Sequence, residues 1–309
     1  MPQVHQSDIR LFWCQLNWRK HAKLTMINPF KKIKQNNILL HPMLKKIFYT
    51  TFIEAEKERE LYTSKNTSFD FKVIFICILT AVSLSIIYYW GHYDFIRSFL
   101  SDAGATGIIQ KTDGIFHTSL NNLGDLSYWI LMLDLFYFII PALIIIFIFK
   151  EKLSDYGLKW KGAFKDYYLY IVMLLIMIPI VIYFSGTKSF QERYPFLIIR
   201  NGDSLFPDFW KWELLYCSQF FALEFFFRGF VLHGLKRRFG FYSVFIMTIP
   251  YCMIHFGKPM PETIAAIVAG IVLGCLSLKN KSIWLGFLIH CSVGLAMDIA
   301  ALWQKGFLH

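Results

Sequence analysis

Long apolar runs separated by short charged segments constrain this chain more than any other feature of its sequence. Of its 309 residues 56% are hydrophobic, and the mean hydropathy is +0.44. Soluble domains hold roughly 45–50% apolar residues, which are scattered rather than blocked. The sequence therefore predicts an all-α, multi-pass transmembrane helical bundle. The seven predicted spans cover about residues 71–91, 126–149, 166–185, 210–234, 241–257, 262–278 and 282–304.

The distribution of Lys and Arg predicts how the bundle is oriented. With the N-terminus inside, 22 of the 32 basic residues fall in inner segments and 7 in outer segments. The other three are Lys72, Lys211 and Arg228, within the spans. The positive-inside rule expects this asymmetry. It accounts for the net charge of +11 without a nucleic-acid partner, so the expected partner is a lipid bilayer, most simply the bacterial cytoplasmic membrane.

Three regions are predicted along the chain. Residues 1–65 form a basic N-terminal region, expected to be partly disordered, 66–205 hold the N-terminal transmembrane helices, and 206–304 form the predicted catalytic core. Within the first region, apolar residues at helical spacing predict an amphipathic helix on the inner membrane surface, with a solvated helix end as the alternative. These residues are Leu44, Ile47, Phe48, Phe52 and Ala55, beside Lys45, Lys46 and Lys57.

Ionisable residues inside the predicted spans point to a site. Glu224 and Arg228 lie four residues apart, on one helix face, where they can neutralise each other. A charge at membrane depth costs ~2.5–3.5 kcal/mol on insertion scales, so it usually has a partner or a function. His255 and His290 lie in two later spans. At ~1.5 Å rise per residue, Glu224, His255 and His290 lie ~15, ~21 and ~12 Å from the inner side. The sequence thus predicts that they share one site.

Such a group has several chemical uses. A carboxylate can activate water with a histidine sharing its proton, and a second histidine can stabilise an oxyanion. One Glu and two His can instead hold Zn²⁺. The chain contains no HExxH, CxxC or GxxxxGK[ST] motif. In the structural alternative, Glu224 and Arg228 are only an ion pair and the histidines bond between helices. Asp134 and Asp298, also at membrane depth, are interpreted mainly as structural or interfacial.

Three short motifs, in order, resemble those of the CAAX protease and bacteriocin-processing family (CPBP, or Abi) of intramembrane endopeptidases. They are Glu224-Phe-Phe-Phe-Arg228-Gly229, Tyr251-Cys-Met-Ile-His255 and His290. The resemblance covers roughly residues 210–300. One branch of the family is also similar at Lys258-Pro259, Glu262, Gly270, Gly274, Ser282-Ile283-Trp284 and Met297-Asp298.

The resemblance implies a membrane-embedded peptidase acting on membrane-associated proteins or peptides. Glu224 is expected to activate water, His255 to share its proton, and His290 to stabilise the oxyanion or to position the scissile carbonyl. Arg228 would hold Glu224 ionised, with Tyr251 in a supporting role. The cofactor is left open: a divalent metal such as zinc, where bound, would be held by Glu224, His255 and His290.

The chain departs from the family pattern at three positions. Leu223 stands where the first motif usually has its water-activating Glu, Tyr251 replaces a Phe, and Gly294 stands where the third motif has Asn. Asp298, about 80° round the helix from His290, is expected as a partial substitute for that Asn. Two hypotheses follow: a peptidase that uses Glu224, or a non-catalytic scaffold or immunity protein of the same fold. A transporter is a weaker third, since no paired halves are evident.

Overall fold

The computed structural model describes residues 42–117, 122–200 and 204–308, and within these ranges the protein is helical and has no β-strand. The predicted all-α fold is confirmed. The chain divides into a unit of residues 1–47 and a unit of residues 48–309. In the first unit only the start of a helix at Pro42 is described, so the predicted disorder in the N-terminal region lies outside the described residues. All helices from Phe71 onward belong to the second unit.

Six helices in the described ranges are long and apolar enough to cross a membrane. Apart from a short 3₁₀ helix at Leu153–Tyr156, seven helices lie in the described residues up to position 200, and the second, fifth and sixth of them are in this group. The bounds are Pro42–Lys65 (α1), Phe71–Trp90 (α2), Tyr93–Asp102 (α3), Thr106–Phe116 (α4), Leu123–Phe149 (α5), Tyr167–Ser185 (α6) and Lys188–Arg193 (α7).

The second part of the chain holds four helices. Helix α8 consists of Asp208–Glu224, wide π-helical turns over Phe225–His233 and a last segment, Gly234–Phe239. It is followed by Ser243–Met253 (α9), Met260–Asn280 (α10) and Trp284–Gln304 (α11).

The apolar stretch Asp208–Met253 supplies two of the seven predicted spans because the chain reverses at Gly240. This residue has φ +57°, a left-handed conformation that glycine adopts without strain. Beyond it α9 runs back along α8, so that Tyr251 packs against Phe227 with ring centroids 5.3 Å apart. Helix α8 therefore continues to Phe239, five residues past the predicted end of that span.

Helix α9 ends earlier than predicted, and this changes the position of one candidate residue. The predicted span 241–257 contains His255, whereas the helix ends at Met253 and His255 lies in the turn that comes after it. Gly257 takes φ +86° and Pro259 precedes the first residue of α10, so the helix cannot continue through this segment. The prediction that the prolines separate two helices is confirmed, and the placement of His255 within a helix is wrong.

Helices α9 and α10 pack closely along the small-residue stripe of α10. A Cβ atom added at Gly270 would lie 2.9 Å from Thr248 Cγ2, and one at Gly274 would lie 3.0 Å from Val244 Cγ1. The absence of side chains at these positions lets the two backbones approach, as small residues do in membrane helices. The wall that carries Tyr251 is thereby fixed against α10.

Helix α8 is the centre of the bundle. In the apolar window of Asp208–Met253, 67% of residues are buried, against 17% in α2 and in α6. Phe226 is fully buried and stacks on Tyr137 of α5, with ring centroids 4.6 Å apart. Near the start of α11, the ring of Trp284 lies parallel to that of Trp160, with centroids 4.3 Å apart. The segment after α5 thus packs on the beginning of the last helix.

Helix α1 confirms that the pattern over residues 44–57 marks a helix. Its Phe52 makes an edge-to-face contact with Phe241, and its Glu56 Oε1 accepts a hydrogen bond from Phe241 N at 3.0 Å. The side chains of residues 42–46 lie outside the described part of the chain. Location of this helix on the membrane surface stays a prediction.

Candidate active site

Glu224 and Arg228 form the ion pair that their spacing predicts. Glu224 ends the first segment of α8 and Arg228 lies one turn later, and the two side chains are 1% and 0% exposed. Arg228 Nη1 lies 3.0 Å from Glu224 Oε1. The guanidinium carbon lies 3.9 Å from the centroid of the Tyr251 ring, a cation–π contact. No guanidinium nitrogen makes a well-aligned hydrogen bond to a described residue, so charge and ring contacts stabilise this buried cation.

His290 brings α11 to the same carboxylate. Its Nδ1 lies 2.9 Å from Glu224 Oε1 and 3.1 Å from the carbonyl oxygen of Gly286, while its Nε2 lies 3.0 Å from the Tyr251 hydroxyl. A carbonyl only accepts hydrogen bonds, so we assign the proton of the neutral ring to Nδ1. Nε2 then accepts from the Tyr251 hydroxyl. The Gly286 carbonyl fixes the tautomer and the ring orientation, and the carboxylate adds a close electrostatic contact at Nδ1 without an aligned hydrogen bond.

His255 also lies beside Tyr251. Its Nδ1 is 2.9 Å from the carbonyl oxygen of Tyr251, which again places the proton on Nδ1. In the described part of the chain Nε2 has no hydrogen-bond partner and is left as an acceptor. The ring centroid of Tyr251 lies 5.0 Å from that of His255 and 6.4 Å from that of His290. Tyr251 therefore neighbours both imidazoles, and of the two only His290 lies within ion-pair distance of Glu224.

A cavity of about 670 Å³ opens beside the two histidines. Its mainly apolar lining comes largely from α6, α8, α9, the turn after α9, α10 and α11, and it includes Tyr251, His255 and His290. Glu224 is not part of the wall; it lies behind His290. At the wall, Glu262 accepts from Lys258 Nζ and from the Tyr194 hydroxyl, both at 2.7 Å. The two imidazoles thus face an apolar space large enough for a substrate segment.

Gly286 makes the approach of α11 to Glu224 sterically feasible. A Cβ atom at this position would lie 2.4 Å from Glu224 Oε2, a distance at which only hydrogen fits. Gly286 also provides the carbonyl group that binds His290 Nδ1. Sequence reasoning missed this residue, although its position four residues before His290, on the same helix face, was an available signal.

Comparison with known proteins bears on the same segment. Residues 206–296 match the family model described as type II CAAX prenyl endopeptidase Rce1-like. No curated protein and no solved structure matches the chain. The family match confirms the resemblance found in the motifs, and it supports an intramembrane protease-type fold. Together with the six apolar helices, it makes this chain an integral membrane protein.

The structure gives a steric reason for two departures from the family motifs. Leu223, in place of the first Glu, is 6% exposed and belongs to the apolar core. A Cβ atom at Gly294 would lie 2.6 Å from the ring of Phe220. Phe220 in turn stacks on the imidazole of His290, with centroids 5.6 Å apart. It fills the space into which an Asn at position 294 would project, a role that nothing in the sequence indicated.

The remaining acids at membrane depth lie elsewhere. Asp298 is fully buried, and its Oδ2 accepts a hydrogen bond from Trp212 Nε1 at 2.7 Å. Eight residues of helix place it about 12 Å from His290 along α11. The structure therefore does not bring Asp298 to Glu224 and the histidines as a substitute for the Asn. Asp134 accepts from the Ser218 hydroxyl at 2.9 Å, a contact between α5 and α8.

The three candidate ligands do not fit a metal site as arranged. Among the described residues, no group of three or more His, Cys, Asp or Glu side chains is placed to hold a metal ion. Glu224 and His290 are in contact, but no ion pair joins His255 to Glu224 among the described residues, and the Nδ1 of His255 is bonded to a backbone carbonyl. Glu224, His255 and His290 as arranged therefore do not form the expected zinc site, and the proposed reaction includes no metal ion.

Proposed function

We propose that this chain is an intramembrane endopeptidase that hydrolyses peptide bonds of membrane-associated proteins or peptides. The proposal is carried by one observation: a histidine in the wall of an apolar cavity, His290, has its Nδ1 2.9 Å from the buried carboxylate of Glu224. A carboxylate on one ring nitrogen orients an imidazole and stabilises its protonated form, which makes the other nitrogen a general base. The family match supports the same class of reaction.

The proposed reaction assigns the base to His290. Glu224 is 1% exposed and lies outside the cavity wall, so it is poorly placed to meet water itself. In the proposal, Nε2 of His290 takes a proton from water as the water oxygen attacks the scissile carbonyl carbon. The C–N bond then breaks, and the same nitrogen returns the proton to the leaving amine. The products are a carboxylate and an amine.

Two neighbours complete the proposed site. The Tyr251 hydroxyl, which donates to His290 Nε2 in the free protein, turns to the carbonyl oxygen and stabilises the developing oxyanion. His255 keeps Nε2 available to accept a hydrogen bond from the attacking water. Arg228 holds Glu224 ionised in a setting of low dielectric constant.

The apolar cavity and the name of the matched family make a prenylated C-terminal peptide the first substrate to test. We also propose that the N-terminus lies inside, which the distribution of Lys and Arg supports, and that the membrane is the bacterial cytoplasmic membrane.

The experiment measures cleavage of fluorogenic peptides, prenylated and unmodified, by purified protein in detergent. We expect Glu224→Gln and His290→Asn each to lower turnover by ~10²–10⁴-fold, and the double variant to be little worse than either single variant. The control is His92→Asn, which makes the same substitution at an exposed histidine outside this cavity. Control activity should be retained, after normalisation to folded protein by size-exclusion chromatography.

The alternative is a non-catalytic scaffold or immunity protein with this fold. It is favoured by Leu223 in the apolar core and by Phe220 in the space near Gly294. A Leu223→Glu variant distinguishes the two proposals, because it restores the carboxylate that the family motif usually carries. If wild type and Glu224→Gln give equal rates while Leu223→Glu gains activity, the peptidase proposal is overturned and the scaffold is favoured.

A further inference from the structure

A second cavity, of about 400 Å³, lies where the last turns of α8 meet the segment that comes after α5. None of its residues has a part in the proposed peptidase site. In contrast to the first cavity, most of its lining is charged or polar. The lining residues are Glu58, Lys72, Glu151, Ser154, Asp155, Tyr156, Lys159, His233, Lys236, Arg237 and Lys281.

Positive charge exceeds negative charge in this basic cavity. Its wall has five Lys or Arg side chains and three carboxylates. Glu151 is shared, since its two oxygens lie 2.6 Å from Lys72 Nζ and 3.1 Å from Arg237 Nη1. In the part of the chain that the structure describes, Lys159 and Lys281 have no carboxylate partner. The internal ion pairs therefore leave a cationic surface unneutralised.

A buried donor in the same wall also has no partner. His233 is 4% exposed, and its Nε2 lies 3.2 Å from the Ser277 hydroxyl. Among the described residues, nothing bonds to its Nδ1. An unpaired buried polar atom is costly, and such atoms usually mark a missing partner. If Ser277 donates to Nε2, Nδ1 carries the hydrogen and is a buried donor without a partner.

The wall is held in place by packing and not by charge alone. Gly157, with φ +89°, accepts a hydrogen bond from Ile283 N at 3.1 Å, which joins the segment after α5 to the turn before α11. A Cβ atom at Gly157 would lie 2.7 Å from Ile283 and 3.7 Å from His233. Lys281, in that same turn, has φ +51°, which is uncommon for a residue other than glycine. The cations are thus presented by a fixed turn.

From this combination we infer that the basic cavity binds a phosphate group. Two ammonium groups without a carboxylate partner, Lys159 and Lys281, match its charge, and the buried His233, whose Nδ1 has no hydrogen-bond partner among the described residues, lies in the same wall. Lys72 lies at the start of α2 and Lys281 comes directly after the end of α10, so the cavity is at the ends of membrane-spanning helices. There a phosphate is available from two sources, an anionic lipid headgroup or a free phosphate ion.

The test uses the purified full chain, delipidated in an uncharged detergent. In one arm, inorganic phosphate is titrated by calorimetry, with chloride as the comparison ion. In the other arm, the protein is reconstituted into phosphatidylcholine vesicles with or without phosphatidic acid, and thermal unfolding is recorded. The test variant is Lys159→Gln/Lys281→Gln. The control, Lys57→Gln/Lys161→Gln, removes the same charge at exposed lysines outside the cavity.

We expect saturable binding in at least one arm, weakened about tenfold or more in the test variant and unchanged in the control. Binding of inorganic phosphate identifies the free ion as a sufficient ligand, and stabilisation only by phosphatidic acid identifies the lipid. His233→Gln should weaken the same binding; where this variant does not fold, the lysine variants decide. Absence of saturable binding in both arms, or equal loss in the test and control variants, overturns the inference.

Discussion

Two carboxylates of this protein have the same kinds of neighbours and very different surroundings. Glu224 lies between Arg228 and His290 and is 1% exposed. Glu151 lies between Lys72 and Arg237, accepts from the Tyr156 hydroxyl at 2.5 Å, and is 22% exposed. Each acid thus has two basic partners with a tyrosine close by. They differ in how much water reaches them.

This difference shows that the pattern of charges does not by itself determine how much a charged cluster contributes to the stability of the fold. Removing one partner of a buried ion pair leaves an uncompensated charge and destabilises strongly, whereas water and salt replace much of a lost partner near the surface. The Glu224 cluster should therefore behave as one unit that fails when any member is removed. The Glu151 cluster should lose stability in small steps.

The largest expected effect is that of Arg228→Ala. The change leaves Glu224 unpaired at low dielectric, and we expect a loss of about 3–5 kcal/mol in the free energy of unfolding, seen as low folded yield. Arg237→Ala is the matched change in the exposed cluster and should cost about 1 kcal/mol or less. Thermal unfolding in detergent measures both. Equal losses in the two variants would contradict the comparison.

Arg228→Lys should be partly tolerated, because it keeps the charge without the planar fork.

Gly286→Ala should have the next largest effect, through the packing of the same cluster. The added methyl group must displace the Glu224 carboxylate, whose Oε2 would lie 2.4 Å away. We expect a cost of about 1–3 kcal/mol, as for overpacking elsewhere, together with loss of any peptidase activity. Gly107→Ala in α4 is the control, since nothing lies within 4 Å of its Cβ position. It should be neutral or stabilise by up to about 1 kcal/mol. A stable Gly286→Ala variant would show that Glu224 has room to move.

Glu151→Gln should have a smaller effect than either change. It removes a charge that Lys72 and Arg237 share but keeps most of the side-chain volume, so we expect a cost of about 1–2 kcal/mol. The loss should shrink as the salt concentration rises, because partly exposed pairs are screened. Unfolding temperatures in low and high salt test this. A loss as large as that of Arg228→Ala would mean that water does not reach the Glu151 cluster.

The smallest effect concerns the acid dependence of the Glu151 cluster. Burial raises the pKa of Glu151, but hydrogen bonds from Lys72 and Tyr156 and the positive charges of Lys72 and Arg237 outweigh it and lower the pKa below its ordinary value of 4.5. A lowered pKa in the folded state means that the contribution is complete above the ordinary value and is lost as pH falls below it. The difference in unfolding temperature between wild type and Glu151→Gln should be constant above about pH 5 and shrink below about pH 4. A difference that grows toward acid pH would contradict this sign.

Much of the fold was predictable because a bilayer accepts few backbone conformations. Apolar runs long enough to cross it must be helices, so the span positions followed from composition. The Gly257–Pro261 segment correctly predicted the break between α9 and α10. The ends of helices were less predictable. The π turns of α8 and its extension to Phe239 depend on packing against α5 and α9, which the local sequence does not encode.

The residues of the candidate site were predictable from the sequence, but the contacts between them were not. Depth along each span suggested that Glu224, His255 and His290 share a level, but it contained no information on rotation about the helix axes. The contact of Glu224 with His290, and not with His255, depends on Gly286, where the lack of a side chain permits close approach. Phe220 could not be identified as a site residue from the sequence, because an aromatic residue in a membrane helix usually faces lipid or packs in the core.

The parallel pair of Trp160 and Trp284 makes the state of this protein optically observable. The two rings lie in parallel planes with centroids 4.3 Å apart, which is close enough for their electronic transitions to couple and to contribute to the circular dichroism spectrum. Trp284 begins the helix that continues to Gly286 and His290, whereas Trp160 belongs to the segment after α5. Any displacement of the start of α11 that separates these rings removes the coupled signal. The chain thus contains a built-in spectroscopic reporter on the helix that bears its central histidine.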